Sequence, residues 1–130
     1  MQREKCSVIF GGKALNGLII KKKWLDLILA GKKTWEIRGC KTTIRGKIAL
    51  IESGTGMIVG EAELVDVIGP LSKNDLLINT KRHRVPTESI KLGVQYAKPH
   101  AWVLKNAKRY QKPKSYTHPQ GAVIWVKNVA

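Results

Sequence analysis

Three side chains that could do chemistry together lie in the stretch Gly31-Lys-Lys-Thr-Trp-Glu-Ile-Arg38. Polar and apolar residues alternate from residue 34 to residue 38, which predicts a strand with Thr34, Glu36 and Arg38 on one face. Lys33 stands at the start of this strand, after a glycine that allows a tight turn. In an enzyme acting on RNA, Lys33 would stabilise negative charge developing at phosphorus, with Glu36 or a histidine as general base.

The strand face that carries Glu36 and Arg38 allows two interpretations. In a barrel this face points inward, where the charges line a cavity or pair with each other, because an unpaired buried charge is costly. In an open sheet the same face meets water, and its charges contribute little. Trp35 and Ile37 fill the opposite, packed face, so the strand is suited to forming the wall of a cleft.

The surrounding segments predict the elements that position this strand. Residues 22 to 30 predict a helix, because Trp24, Leu27 and Ile28 fall on one face at helical spacing. Gly31 follows the helix at the position of a left-handed C-cap. Further strands are predicted over residues 18 to 20, 47 to 52, 57 to 68 with a bend at Gly60, 101 to 104 and 122 to 126.

Short helices and polar connections separate the later strands. Ser72 is predicted to cap a helix that runs through Leu77, and a second helix follows from Thr87 towards Tyr96. We expect residues 81 to 84 to form a basic loop, and residues 105 to 120, rich in Lys, Pro, Tyr and Gln, to form an exposed loop. Strands dominate, which indicates a mainly β, α+β fold built as a small, partly closed barrel with flanking helices.

Length and composition favour one globular domain. The chain has 130 residues, of which 43% are hydrophobic and 25% charged. We interpret residues 1–16 as an N-terminal leader and residues 17–130 as the domain, because Gly11-Gly12 and Asn16-Gly17 are turn signals. No apolar run reaches the length of a membrane span or of a signal peptide. We expect a cytoplasmic protein without membrane association, and we expect it to be a monomer.

Positive charge dominates the composition. Lys and Arg number 24 against 9 Asp and Glu, a formal net charge of +15. The basic residues are dense between Lys21 and Lys47, and no acidic residue follows Glu88. Such a surface repels itself and is typical of proteins that bind a polyanion, so nucleic acid is the expected partner. A solubilising surface or a membrane-surface patch is the alternative, although the sequence contains no long amphipathic basic helix.

The segment after Lys105 combines cations with aromatic rings. This mixture is suited to stacking on unpaired bases while the cations hold phosphates, but Tyr116 could equally pack the segment onto the barrel. Trp24, Trp102 and Trp125 fall on apolar faces and are expected in the core. The candidate nucleic-acid-binding residues are Lys22, Lys23, Lys33, Arg38, Lys108, Arg109, Lys112, Lys114, Tyr116 and His118.

The sequence indicates neither a metal site nor a cofactor site. Its two cysteines, Cys6 and Cys40, form no Cys-x-x-Cys pair, and its three histidines lack the close spacing of zinc ligands. We therefore expect no metal and no cofactor, with both cysteines reduced.

The stretch from Gly31 to Arg38 resembles the signature of the ASCH domain family (activating signal cointegrator homology), a branch of the PUA-like superfamily. That signature is Gly-x-Lys-x-x-Glu-x-Arg after a helix, and residues 31, 33, 36 and 38 match it at every position. Residues 24 to 30, 100 to 104 and 119 to 125 are similar to the first helix and the closing strands of the family. The resemblance covers roughly residues 17 to 128, and it implies a six-stranded barrel whose cleft meets RNA or a nucleoside.

The same resemblance implies enzymatic alternatives. Members are similar to RNA-binding modules, some are ribonucleases, and one bacterial group hydrolyses N4-acetylcytidine with a lysine, a threonine and a glutamate. Lys33 matches that lysine, but Glu36 occupies the threonine position, so the candidate catalytic set is Lys33, Glu36 and, as a substitute nucleophile, Thr34. Glu88 is the candidate for the glutamate. The resemblance favours an RNA- or nucleotide-binding protein with a cationic cleft and leaves a hydrolase open.

Overall fold

The computed structural model describes residues 15–118, 120–122 and 124–126. The strands are β1 (Gly17–Ile20), β2 (Trp35–Arg38), β3 (Gly46–Glu52), β4 (Met57–Ile68), β5 (His100–Ser115) and β6 (Trp125–Val126). The helices are α1 (Lys22–Leu29), α2 (Lys73–Ile78), α3 (Thr80–His83) and α4 (Thr87–Leu92). The leader proposed over residues 1–16 lies outside the described residues except for 15 and 16, so the boundary at residue 17 stays a prediction.

The six strands form one mixed sheet in the order β2-β5-β4-β3-β1-β6, with β1 and β3 parallel. In a flat sheet β2 and β1 would be about 19 Å apart, because four strand spacings of about 4.8 Å separate them. Arg38 of β2 nevertheless donates a hydrogen bond to the carbonyl oxygen of Ile19 in β1, at 2.8 Å. Trp102 of β5 likewise stacks on Trp125 of β6, with ring centroids 5.7 Å apart. The sheet therefore curls into a half-barrel, which confirms the expected six-stranded α+β fold.

The concave face of the curled sheet holds the main core. In β3, Ile48 and Leu50 pack with Trp102 on this face, whereas Ala49 and Ile51 belong to a separate cluster on the other side. This alternation follows from the period of two along a strand. Helix α1 joins the main core through its buried residues Leu25 and Ile28. The α1 amphipathicity read from the sequence therefore places this helix against the half-barrel.

Two helix termini follow from local sequence signals. After α1 the amide of Gly31, with φ of 77°, donates to Ile28, and the amide of Lys32 donates to Leu27. These are the two hydrogen bonds of a Schellman motif, which confirms the left-handed glycine. Ser72 caps α2 in a reciprocal capping box with Asp75, as expected.

Other local expectations are wrong. Residues 80 to 83 form α3 rather than part of a basic loop, and the N-cap of α4 is Pro86 rather than Thr87. The fully buried His83 holds α3 in place, a tertiary contact that loop composition does not reveal. Cys40 is disulfide-bonded rather than reduced, while Cys6 lies outside the described residues.

Residues 105 to 115 continue β5 and are not the exposed loop that their composition predicts. β5 pairs with β4, whose residues Glu61 and Glu63 stand opposite Lys108 and Lys105. Opposite charges directly across a strand pair stabilise the pairing, so these lysines are compatible with a strand. The register shifts three times along the pairing of β4 with β5. One shift lies between Ile58 and Gly60, where a bend was expected. Such irregularities disguise the period of two in the sequence of β5.

Candidate functional site

The loop between α1 and β2 is bonded residue by residue to the end of α3. Three hydrogen bonds join residues 32 to 34 with residues 82 to 84: Arg84 Nε to Lys32 O at 2.8 Å, Lys33 Nζ to His83 O, and Thr34 N to Arg82 O at 2.9 Å. Each residue of this short loop is thus fixed before β2 begins. The side chain of Lys33 is held by a backbone carbonyl, which gives it one defined direction.

The imidazole of His83 sets the position of that carbonyl. Its Nε2 donates to the carbonyl oxygen of Leu76 at 2.6 Å, so its Nδ1 accepts from the amide of Val85 at 2.9 Å. Burial lowers the pKa of His83, and the nearby charge of Lys33 lowers it further, against the opposing effect of the Leu76 carbonyl. His83 is therefore a neutral, structural residue. The sequence offered no signal for this role, because His83 lies within the run of cations taken for a loop.

Lys33, Glu36 and Arg38 form a buried ladder of charges. Their exposed fractions are 2%, 5% and 7%. Glu36 Oε1 lies 3.6 Å from Lys33 Nζ, and Glu36 Oε2 lies 2.9 Å from Arg38 Nη2 and 3.0 Å from Arg38 Nε. Arg38 Nη2 also reaches the Ile19 carbonyl across the half-barrel. The interpretation of Glu36 and Arg38 as solvated surface charges is wrong, because two cations and one carboxylate are held here away from bulk water.

Burial controls the protonation of Lys33. Desolvation lowers the pKa of Lys33 from 10.5 to about 8, although the carboxylate of Glu36 opposes the change. Arg38 lowers it further because a second cation disfavours the ammonium. A lysine with a pKa near 8 exchanges its proton close to neutral pH, which is a property of lysines at functional sites.

A cleft of about 360 Å³ opens above this ladder. One wall comes from the ends of β1 and β3 and from α1, and the facing wall comes from the segment that includes α4. The lining residues that sequence reasoning did not select are Ile19, Lys21, Val85, Pro86, Ser89, Gly93, Val94, Gln95 and Tyr96. They come from segments distant in the chain that share no motif, so only folding brings them together.

Trp24 lines this cleft and is also partly buried against the main core, where its apolar face was expected. The Nζ of Lys33 lies 4.7 Å from the centroid of the Trp24 ring, and the Nζ of Lys23 lies 4.6 Å from the same centroid. Trp102 and Trp125 are buried in the main core, as expected from their apolar faces. A cation held near an aromatic face is attracted to it, so Trp24 helps to place both lysines at the cleft.

The candidate nucleic-acid residues fall into two groups. Lys23, Lys33 and Arg38 line the cleft, and Lys22 lies just outside it, where it pairs with Asp26 at 2.9 Å. The second group lies on β5 and beyond and contributes nothing to the lining of the cleft: Lys108, Arg109, Lys112, Lys114, Tyr116 and His118. Arg109 Nη2 reaches Asp26 of α1 at 3.1 Å, which ties the outer surface to the helix of the cleft.

The aromatic residues near the end of β5 are tied into local contacts. The Tyr116 hydroxyl donates to Nδ1 of His118 at 2.7 Å, and His118 Nε2 donates to the carbonyl of Ala122 at 2.9 Å. Tyr110 and Tyr116 are partly buried against the third core cluster. Of the two interpretations for Tyr116, packing is therefore present, and the exposed His118 beside it leaves a partly open aromatic edge.

Thr34 and Glu88, the candidates for the threonine and the glutamate of an N4-acetylcytidine hydrolase, lie outside the cleft. Thr34 is exposed, precedes β2 and is not among the residues that line the cleft. Glu88 is exposed on α4 and is not in the lining either. Ser53 and Ser89 are the hydroxyl-bearing side chains, apart from Tyr96, that the described residues bring to the cleft.

Two further structural findings bear on function. Within residues 15–118, 120–122 and 124–126, no group of three or more His, Cys, Asp or Glu is placed to hold a metal ion. Among those residues no helix combines the length and the apolar character needed to cross a bilayer.

Comparisons with solved structures show relatives of the same fold. A mutant of the ASCH protein from Zymomonas mobilis superposes with a TM-score of 0.68 at 15% identity, covering 91% of this chain and 92% of that one. A second mutant of that protein gives 0.64 at 15% identity, covering 79% and 76%. A third structure, of ASCH from the same organism, gives 0.59 at 15% identity, covering 74% and 70%. No curated protein matches the chain.

The sequence also matches the model of the ASCH domain over residues 18–114. This range contains Gly31, Lys33, Glu36 and Arg38, together with all of β2 to β4 and all but one residue of β1 and of β5. Because the match spans most of the chain and the half-barrel agrees with it, the chain belongs to the ASCH domain family.

Proposed function

We propose that this protein binds single-stranded RNA, or a modified nucleotide within it, in the cationic cleft above Lys33, Glu36 and Arg38. The observation that carries the proposal is the buried ladder itself, in which two cations share one carboxylate at the floor of a cleft. Burying such charges is costly, and buried charges with perturbed pKa values are concentrated at functional sites. The ASCH fold, a branch of the PUA-like superfamily associated with RNA, supports the same partner.

The ladder assigns different roles to its members. Arg38 is occupied by Glu36 and by the Ile19 carbonyl, so it orients the carboxylate and braces the cleft. The ammonium of Lys33 has three donors, of which one is directed to His83 and one faces Glu36. Its third donor is available to an anionic or carbonyl oxygen in the cleft. Lys21 and Lys23 add positive charge to the lining.

The basic face of β5 gives the RNA a second surface in this proposal. Lys108, Arg109, Lys112 and Lys114 are exposed there, and no acidic residue occurs in the sequence after Glu88. Exposed cations along a strand are suited to contacting successive phosphates, while the edge of the Tyr116–His118 pair offers a surface for stacking.

Fluorescence anisotropy with a short single-stranded RNA tests the cleft. We expect Lys33→Met to weaken binding and to abolish the fall in affinity between pH 7 and pH 9 that loss of the Lys33 proton causes in the wild type. The matched control is Lys81→Met, an exposed lysine on α3 outside the cleft. Equal affinities and equal pH profiles for wild type and Lys33→Met would exclude the cleft as the binding site.

Hydrolysis of RNA or of a nucleoside amide is the second candidate function. The observation in its favour is the buried Lys33, whose pKa of about 8 allows it to exchange a proton near neutral pH and which lies 3.6 Å from Glu36. The positions of Thr34 and Glu88 outside the cleft lining weigh against an N4-acetylcytidine amidohydrolase. Incubation with N4-acetylcytidine and with total RNA, analysed by mass spectrometry and gel, separates the cases: release of acetate or RNA fragments that is lost in Lys33→Met identifies an enzyme.

A further inference from the structure

A second, more open depression lies beside the cleft, along the loop that joins β2 to β3. This loop supplies Lys41 and Arg45 together with two threonines. Val67 in β4, Gly69 after it and His100 at the start of β5 complete the lining. No carboxylate belongs to the lining among the residues that the structure describes. The depression is therefore cationic. Its loop directly follows Arg38 in the chain, so its positive charge adds to that of Lys33 and Arg38.

The loop is closed by its own hydrogen bonds, which hold the guanidinium of Arg45 in place. Arg45 Nη1 donates to the carbonyl oxygens of Thr42 at 2.8 Å and Ile44 at 2.7 Å. The Ile44 amide donates to the hydroxyl of the buried Thr42 at 3.2 Å. These bonds occupy one nitrogen of the guanidinium, so its other donors are free for an anion.

His100 forms the floor of the depression. Its ring is 8% exposed and lies against Gly69, which also belongs to the lining. Its Nδ1 donates to the carbonyl oxygen of Lys98 at 2.8 Å, which leaves Nε2 as the second ring nitrogen. Within the described part of the chain, Nε2 makes no hydrogen bond. His100 thus packs against Gly69 at the base of a depression that Lys41 and Arg45 border.

One cross-strand pair of residues connects this depression with the cleft. Arg38, which lines the cleft, pairs directly with His100 across β2 and β5. Lys41 follows Arg38 by three residues, a separation of at most about 10 Å along an extended chain. A single strand of a few nucleotides spans such a distance, since binding folds of this size hold roughly 4 to 16 nucleotides.

We infer that this depression, whose donors are Lys41, Thr42 and Arg45, binds a phosphate group of the RNA strand whose nucleotide occupies the cleft. The inference rests on the proposed function, which it extends from one nucleotide to its neighbour. Phosphate fits the donor set, because a guanidinium, an ammonium and a hydroxyl donate to its oxygens and no carboxylate repels it. Such a contact fixes the direction in which the strand leaves the cleft.

The test compares a labelled random RNA hexamer with a mixture of the four nucleoside 5′-monophosphates. We expect Lys41→Met, which removes a side chain without internal contacts in the described structure, to weaken hexamer binding about fivefold at 0.1 M salt. The slope of log K against log salt should become shallower by about 0.7, the value of one phosphate contact on a single strand. Mononucleotide binding should stay unchanged, as should both affinities in the control Lys81→Met.

The outcomes separate this inference from the function on which it rests. An unchanged hexamer affinity and salt slope in both Lys41→Met and Arg45→Lys overturns the second subsite, even if Lys33→Met still abolishes binding. A loss of mononucleotide affinity in Lys41→Met also overturns it, because the effect then lies in the cleft. If Lys33→Met binds every probe as the wild type does, the proposed function fails, whatever the Lys41 variant shows.

Discussion

At the residue scale, Lys33 concentrates the properties of the site. Its ammonium is buried between a carbonyl, a carboxylate and an indole, and each partner comes from a different segment. Desolvation is the largest influence on it and holds its pKa near 8. Keeping this lysine charged at neutral pH lowers the free energy of unfolding. Such a loss of stability is common at sites retained for function.

The pH dependence of stability measures that cost. The pKa of Lys33 is about 8 in the folded state and near 10.5 when unfolded, so the unfolded chain binds more protons between these values. The destabilising contribution is therefore complete below pH 8 and fades as the pH rises to 10.5. We expect wild type to gain stability relative to Lys33→Met by about 1.4 kcal/mol per pH unit within this window. Urea denaturation of both proteins at pH 7, 8.5 and 10 checks this, and a gap independent of pH contradicts it.

At the element scale, Arg38 links the edge strand β2 to β1 on the other side of the half-barrel. Its bond to the Ile19 carbonyl makes this link, and its two bonds to Glu36 within β2 orient the guanidinium. β2 is otherwise hydrogen-bonded to β5 alone among the described strands, with only four residues. The arginine thus helps to set the curl of the sheet, and with it the width of the cleft.

Removing Arg38 should break this link and leave Glu36 with one cation. We expect Arg38→Met to lower the free energy of unfolding by about 3–5 kcal/mol, as for other buried pairs that lose one partner. The double variant Glu36→Gln with Arg38→Met should recover part of the loss, because no carboxylate then remains buried. Arg109→Met is the matched control, since its pair with Asp26 is exposed and is worth less than about 1 kcal/mol. Equal losses for the two arginine variants in thermal or urea denaturation would disprove the role of Arg38.

The pairing of β4 with the long β5 depends on a close backbone approach at Gly60. A Cβ atom there would lie 2.4 Å from the carbonyl oxygen of Lys108 and 2.7 Å from a methyl group of Leu29. We expect Gly60→Ala to cost about 1–3 kcal/mol through overpacking and to speed amide exchange in residues 105 to 110. Gly31→Ala is the comparison: its Cβ meets nothing within 4 Å, so only the left-handed conformation is strained. Exchange in β5 should be unaffected by Gly31→Ala, and a similar increase in both variants would refute the explanation.

At the scale of the whole molecule, positive charge lies in the cleft and on β5 as well as in the depression of Lys41 and Arg45. The cleft carries Lys21, Lys23, Lys33 and Arg38 in its lining, and the exposed part of β5 carries the second group. The ion pair of Arg109 with Asp26 of α1 connects them. A strand of RNA long enough to leave the cleft can therefore meet further cations on the same molecule.

Salt titrations test whether the β5 surface takes part in binding. We expect the double variant Lys112→Met with Lys114→Met to reduce the slope of log K against log salt by about 1.4, two contacts of about 0.7 each. The corresponding control is Lys73→Met with Lys91→Met, which removes the same charge from α2 and α4. An identical reduction in the control would mean that net charge, rather than the β5 surface, governs the affinity.

The local features of this protein can be predicted from its sequence alone. The helical spacing around Trp24, the glycine that ends α1 and the capping box of Ser72 are set by neighbours in the chain, and each is present in the structure. The alternation that marked β2 and the ASCH resemblance of residues 31 to 38 are equally local. Short-range hydrogen bonds and side-chain periodicity suffice to predict features of this kind.

How these features meet depends on contacts between segments that are distant in the chain. The strand from residue 105 to 115 exists because β4 offers it hydrogen bonds and opposite charges, and Trp24 turned out to line a cleft because β1 and β2 close beside it. The same closure buried Glu36 and Arg38, whose face the sequence left open between water and a cavity. Burial, and the lowered pKa of Lys33 that follows from it, arise from atoms distant in the chain, and no pattern within a short segment encodes them.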